Sequence, residues 1–400
     1  MTLRAAALDD PVHCRRADRE LLSLALIDAR NLTLRWLEVF QARGRHADAG
    51  PTPCALWLAG HAGWYQEWWI GRHPQRSRGE AADASGPRLA SVEPEADAWF
   101  DHPEGRPPDA DRVRGYLADT LDTTLDLLGS ADNTDAALHF YRAALLHEDR
   151  LGQALAERAA LLQLARKPEP PPPFAPTVAQ QIEREPLFLP AARLQLGSLP
   201  GGFVPDNERW AHELQVPTFE IDAQPVGWER FVEFAEDGGY DRRELWTDTG
   251  WAWLQATGRR APRDVEQLRG GVLLQRGGEM QRAAPAQAAS HLTRHEAEAW
   301  CRWAGRRLPT EPEWELAALT ARSRGFVWGD VFEWVAGSAR PWTGHAETPG
   351  SLDRLPPPRT QGVLRGASFM TALRWRHPKA RRCMPPGADL AFCGFRSCAA

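Results

Sequence analysis

The stretch FYRAALLHEDRLGQALAE, residues 140–157, has the pattern of a metal-gripping helix with one residue changed. His147 is followed by Glu148 and Asp149. Side chains four apart share a helix face, so a histidine at position 151 would let two imidazoles hold one ion. Leu151 stands there instead and offers no lone pair. Arg150, near the same face, brings a positive charge that repels a cation. Glu148 is turned about 100° around the helix and Asp149 about 200°, so neither points where Leu151 does. His139 lies roughly 12 Å back along the axis, too far to share an ion with His147. A second imidazole, His61, sits in the apolar segment ALWLAGHAGWY. A neutral ring on an inward face can ligate a metal ion, and its plainer role is that of a core histidine with satisfied hydrogen bonds.

HLTRH (His291, His295) also has four-residue spacing, but Thr293 and Glu296 form a capping box. A helix therefore starts between the two histidines, and they do not share a face.

The elements that must position these residues change character along the chain. Four segments of the first 165 or so residues carry apolar residues at three- and four-residue spacing: RADRELLSLALIDARNLTLRWLEVFQARG, PCALWLAGHAGWYQEWWIGR, DADRVRGYLADTLDTTLDLLGS and NTDAALHFYRAALLHEDRLGQALAERAALLQLAR. They predict an up-and-down four-helix bundle over 1–166. KPEPPPPFAP cannot continue a helix and predicts an extended linker over 167–186. From 187 to 400 the texture is strand-like (VPTFEID, GVLLQ, GVLRGASF), with glycine turns and two clear helices, GWERFVEFAEDGG and TRHEAEAWCRWAGR. The fold class is α+β.

The totals set bounds. Four hundred residues exceed one usual core, and 43% hydrophobic with 25% charged residues describe an ordinary soluble chain. A net charge of −5 without a long basic run argues against nucleic acid as a partner. No run of about 18 apolar residues predicts a membrane span. The N-terminal residues include acids and no apolar h-region, so no secretory signal is expected. Six cysteines without framework spacing predict free thiols and a cytoplasmic setting. Eighteen tryptophans are mostly expected in the core, with aromatic cages for cations as a further use.

The C-terminal half resembles the formylglycine-generating-enzyme-like (sulfatase-modifying factor) fold, a C-type-lectin-like domain, in GGFVPDNER, FEID, FVEFAEDGGY, GWAWL, EAEAWCRWAGRRLPTEPEWELAA, WGDVFEW, VLRGASF and GFRSC. With GHAGWYQEWW and LLHED in a preceding DinB-like bundle, the chain resembles the sulfoxide synthases of ergothioneine biosynthesis. Within them it is most similar to selenoneine synthases, through GHAGWYQEWWIGRHPQRSRG, LLHEDRLGQAL and the GFRSCA ending. The resemblance implies an iron(II), dioxygen-dependent enzyme that joins sulfur or selenium to the imidazole of Nα-trimethylhistidine (hercynine), with a selenosugar or thiol as second substrate. It implies three histidine ligands, of which this chain supplies His61 and His147 and departs at Leu151.

The same resemblance assigns Arg72, Gln75 and Arg76 to a basic cluster facing a polar substrate, the plain alternative being a solvated loop. It also places Trp342 at a tyrosine position, and Ala380, Arg382, Cys383 and Met384 where relatives carry an aromatic run. Arg382 joins the expected substrate-binding set. No tyrosine lies beyond Tyr240, so the phenol that relatives use as proton donor is sought elsewhere, and Tyr65 is the candidate. Copper-type formylglycine generation needs a cysteine pair near that pocket, where Cys383 stands alone. Glu311, Glu313 and Trp314, with Asp206, Asn207 and Glu208, are expected to be structural, fixing loops and a possible calcium ion. The rival to an iron enzyme is a diverged homologue that binds a small molecule without iron chemistry. A sulfoxide synthase of altered substrate lies between the two.

Overall fold

The computed structural model describes residues 7–164, 184–352 and 360–400. Four long helices come first: α1 (Arg19–Gln41), α2 (Ala55–Gln66), α3 (Ala110–Gly129) and α4 (Asp135–Leu161). Side chains cap three of them. Asp18 accepts from the Leu21 N–H, Asp109 from Asp111 and Arg112, and Thr134 from Ala137. These are first-turn donors that have no partner inside the helix. α2 has no such cap, and it runs on into a π-helical turn, Glu67–Gly71. Turns of that kind occur frequently at functional sites.

α1 packs on α3 and α4, and α2 packs on the same two. At the level of His147 a buried polar knot ties three of the helices. Arg30 of α1 donates to Glu148 (2.6 Å) and to Gln66 (3.0 Å), and Gln66 donates to Glu148 (2.9 Å). Buried charges are tolerated here because each is paired and hydrogen-bonded. The knot also explains why Glu148 cannot serve the neighbouring histidine. Most of the expected proline-rich linker, up to residue 183, lies outside the described residues.

The second half is built from short strands and helices. Its strands are β1 (Leu187–Leu189), β2 (Ala192–Leu196), β3 (His212–Val216), β4 (Phe219–Ile221), β5 (Val265–Gln267), β6 (Leu273–Arg276), β7 (Glu279–Arg282), β8 (Arg306–Arg307), β9 (Phe332–Trp334), β10 (Gly362–Gly366), β11 (Arg381–Met384), β12 (Cys393–Phe395) and β13 (Cys398–Ala399). They form sheets of order β1-β4-β13-β8 and β11-β10-β9-β12, a β2-β3 hairpin and a β5-β6-β7 meander. The helices are α5 (Trp228–Glu236), α6 (Asp248–Thr257), α7 (Arg294–Trp303) and α8 (Glu311–Thr320). Trp228, Trp300, Trp314 and Trp334 are fully buried, so much of the tryptophan content is core.

The Thr293–Glu296 capping box opens α7 as expected. The same device, Thr310 with Glu313, opens α8, a helix missed in the sequence because its acids read as a loop cluster. Those acids are committed to cations already on the chain. Glu311 binds Arg381 and Arg365, Glu313 binds Arg307, and Glu208 binds Arg15. Asp206 accepts from Thr348 and faces Arg209. With their lone pairs so occupied, these residues do not fit the calcium ion the sequence suggested, and no group of three or more potential ligands occurs among the described residues. No helix among them is long and apolar enough to cross a membrane.

Buried polar bonds hold the second half against α4 and its neighbours. Arg374 binds Asp149 (2.6 and 2.8 Å), and the Trp375 indole donates to the same carboxylate (2.7 Å). Arg382 binds Glu157 (2.6 and 3.0 Å), and the Tyr65 hydroxyl donates to the Gly350 carbonyl (2.6 Å). Arg15, ahead of α1, binds Glu208 (2.7 and 2.8 Å).

Candidate active site

α2 and α4 bring His61 and His147 together, with ring centroids 4.9 Å apart and planes at 87°. Each ring is fixed by its own helix neighbours. His61 is stacked between Trp57 (4.4 Å) and Trp64 (5.1 Å), one turn before and after it. Tyr65 lies over His147 at 4.5 Å. The next residue to Tyr65 is Gln66 and the next to His147 is Glu148, so the buried Arg30 knot sets the registry of both rings.

Burial lowers the His61 pKa to about 4, and burial, followed by the repulsion of His61 and Arg150, holds His147 well below the usual range. Both rings are therefore neutral near pH 7. The nearby Phe100 backbone offsets part of the His61 shift, while the Nδ1 of His61 and the Nε2 of His147 are sealed from solvent and have no hydrogen-bond partner.

These observations test the fit of a metal. Two imidazoles bound to one ion at about 2.1 Å and near right angles have centroids roughly 4.5–5 Å apart. The spacing and the two sealed nitrogens match that requirement. The donor count does not. Leu151 is buried among apolar neighbours of α1 and α4, Glu148 is held by Arg30 and Asp149 by Arg374. No third histidine, cysteine or carboxylate joins the pair among the described residues. The residues present do not fit a three-histidine iron centre.

α4, Arg15 ahead of α1 and the second half line a partly open cavity of about 450 Å³, and neither His61 nor His147 is among its lining residues. Leu146, Arg150, Gln153 and Ala154 line it from the helix, and Phe332, Trp375 and Arg382 line it from the other side. His147 is turned roughly 60° from Arg150 around α4, at the margin of this wall. Gln153 donates to Glu157 (2.9 Å) and accepts from Thr371 (2.9 Å), linking the cavity wall across the two halves.

Arg382 lies in the cavity wall, and Tyr65 is beside His147. The other expected substrate contacts are elsewhere. Arg72 is committed to Asp97 (2.7 and 3.1 Å) and stacks on Trp68. Gln75 accepts from the Asp83 N–H and from Arg78. Arg76 is half-buried and reaches Tyr141. Trp342 packs beneath the Arg381 guanidinium (4.1 Å) in the core of the second half. None of these four lines the cavity. Asp149, Arg374 and Trp375, which close it, had no sequence signal because their partnership spans most of the chain.

Residues 174–330 match the sulfatase-modifying factor enzyme 1-like domain, so the second half is a formylglycine-generating-enzyme-type domain set against helices. Along 94% of its length the chain is 29% identical to a hercynine oxygenase of Mycolicibacterium thermoresistibile, covering 94% of that protein. It is 29% identical, over the same share of its length, to a hercynine oxygenase of Mycolicibacterium smegmatis, covering 99% of it. A formylglycine-generating enzyme of Streptomyces coelicolor is 30% identical over 39% of the chain and 54% of that enzyme. Along nearly its whole length the chain is thus similar to hercynine oxygenases, and within its second half to formylglycine-generating enzymes.

Proposed function

We propose that this chain oxidatively modifies hercynine, forming a carbon–selenium or carbon–sulfur bond on its imidazole in the cavity beside His147. Similarity to hercynine oxygenases along 94% of the chain supports an oxidoreductase. The observation that supports the finer reading is the meeting of His61 and His147, neutral and each with a sealed nitrogen, on the helix that also lines the cavity through Leu146, Arg150 and Gln153.

In this reading a DinB-like helical domain (1–166) and a lectin-like domain (187–400), joined by the 167–186 linker, share one site. The cavity wall offers hercynine a surface matched to its charges. Phe332 and Trp375 present aromatic carbon to the trimethylammonium group, and guanidinium groups such as Arg382 face its carboxylate. Tyr65, already a donor to Gly350, is the phenol that can hand a proton toward His147. Fe(II) supplies dioxygen activation to such enzymes, and His61 and His147 are the two donors this chain offers it. A selenosugar or thiol is the second substrate. The free cysteines suit a cytoplasmic setting for this chemistry.

Leu151 favours a second reading, a homologue that binds hercynine without turning it over. Incubation of the iron-supplemented protein with hercynine, dioxygen and a thiol or selenosugar, followed by mass spectrometry, separates the two. A sulfur- or selenium-bearing product that disappears in His147→Ala supports the enzyme. Saturable hercynine binding without product supports the binding protein.

A further inference from the structure

DPVHCRRAD, residues 10–18, folds as a short piece of its own ahead of α1. Asp10 accepts from the Val12 and His13 N–H groups and opens a helical turn, Pro11–Arg15, before Asp18 caps α1. This turn reaches across to the second half. The Arg15 guanidinium binds Glu208 (2.7 and 2.8 Å), and the Arg15 carbonyl accepts from the Phe203 N–H (2.7 Å). Arg142 of α4 donates twice to the Ala17 carbonyl (3.1 and 2.9 Å) and once to Asp135 (2.7 Å). Asp135 in turn accepts from the Gly202 N–H (3.0 Å). Gly202 sits at φ +68°, and a Cβ there would lie 2.4 Å from the Arg15 carbonyl, so this approach requires glycine.

The segment thus clamps the stretch 201–208, and both supply wall to the cavity: Arg15 from one, Pro205, Asn207 and Glu208 from the other. Little apolar surface anchors it. Within residues 7–17 the buried apolar side chains are only Cys14 and Ala17, and Val12 is 54% exposed. An element held mainly by polar bonds belongs to the low-stability end of a fold and opens before the whole unfolds. Opening takes Arg15 from Glu208 and leaves a buried carboxylate in the cavity wall without its cation, so the wall loses its shape. A ligand that needs the intact wall then draws the segment shut. We propose that residues 7–17 form a strap whose docking completes the cavity, so that strap closure and ligand binding are positively coupled. Arg15 is the positioning residue of this device and acts on the cavity through Glu208. The inference rests on hercynine as the cavity ligand.

The strap is followed by trypsin cleavage after Arg15 and Arg16 in the full chain, read by intact-mass spectrometry. Cleavage after the exposed Arg269, which does not line the cavity, is the internal reference. Proteolysis tracks the open population, so saturating hercynine slows strap cleavage at least about fivefold and leaves cleavage after Arg269 unchanged. Gly202→Ala pushes against the Arg15 carbonyl and speeds strap cleavage at least about tenfold. It weakens hercynine binding by a similar factor, read by calorimetry. Should Gly202→Ala not fold, hercynine protection of the unaltered chain decides alone. Hercynine that binds the unaltered chain without slowing strap cleavage overturns the inference and leaves hercynine as the ligand. A released strap in Gly202→Ala with hercynine affinity kept within about twofold does the same. No hercynine binding by the unaltered chain overturns both.

Discussion

His61 meets the edge of His147 across two helices, 4.9 Å between ring centroids, and neither ring hydrogen-bonds the other through its sealed nitrogen. Two buried ring nitrogens without hydrogen-bond partners are costly unless something binds them. The surrounding structure invests in keeping them there, through the indole stack on α2 and the Arg30–Glu148–Gln66 knot behind them.

The joint between the two halves depends on one carboxylate. Asp149 accepts from Arg374 twice and from the Trp375 indole. Asp149→Ala leaves a buried guanidinium that has lost its doubly bonded carboxylate and keeps a single bond to Asp28, and should cost about 3–5 kcal/mol. Urea unfolding of the variant measures this. A loss below about 1 kcal/mol contradicts a structural clasp.

The approach of α2 to its neighbours depends on Gly60, immediately before His61. A Cβ there would lie 2.2 Å from the Phe100 ring. Gly60→Ala should destabilise by about 1–3 kcal/mol despite the better helix propensity of alanine. Phe100→Leu in the same chain should return part of the loss, read as a partial recovery of Tm.

Stability in acid should follow Glu208. Burial alone would raise its pKa, but Arg15 beside it and the Ser198 hydroxyl bring it down to about 2. A carboxylate depressed in the folded state stabilises above its unfolded pKa of 4.5, and that stability is lost as pH falls toward 2. The contribution is on the order of 3 kcal/mol. Glu208→Gln should therefore be less stable at pH 7 and show a flatter loss between about pH 4.5 and 2. Parallel acid profiles for the two proteins contradict this.

Two arginines that looked alike in the sequence should separate in function. Arg382→Ala removes a guanidinium from the cavity wall and should weaken hercynine binding by roughly 10–100-fold. Arg72→Ala breaks the pair with Asp97 outside the cavity, so it should lower Tm and leave hercynine affinity within about twofold. Calorimetry on both variants decides it.

The contrast shows what the sequence could carry. Local signals were legible: Thr293 with Glu296 marked the start of a helix. Thr310 with Glu313 was written in the same code but was read as an acid cluster, because its partners Arg307, Arg365 and Arg381 are brought in by the fold. The gap at Leu151 was visible from spacing alone. That Arg72 would turn to Asp97, and that Asp149 would be clasped by Arg374, depends on tertiary pairing, for which one sequence holds no periodicity. The π-helical turn after Gln66, which carries Arg72 away from the cavity side, likewise has no pattern that propensity reads.

The most direct test of a shared site is a double-mutant cycle on Co(II) uptake, using His61→Ala, His147→Ala and the double variant. If the two imidazoles hold one ion, either single change removes most of the binding and the double change adds little, a coupling well above the roughly 0.5 kcal/mol of independent sites. Losses that simply add, or uptake indifferent to both changes, would contradict the account.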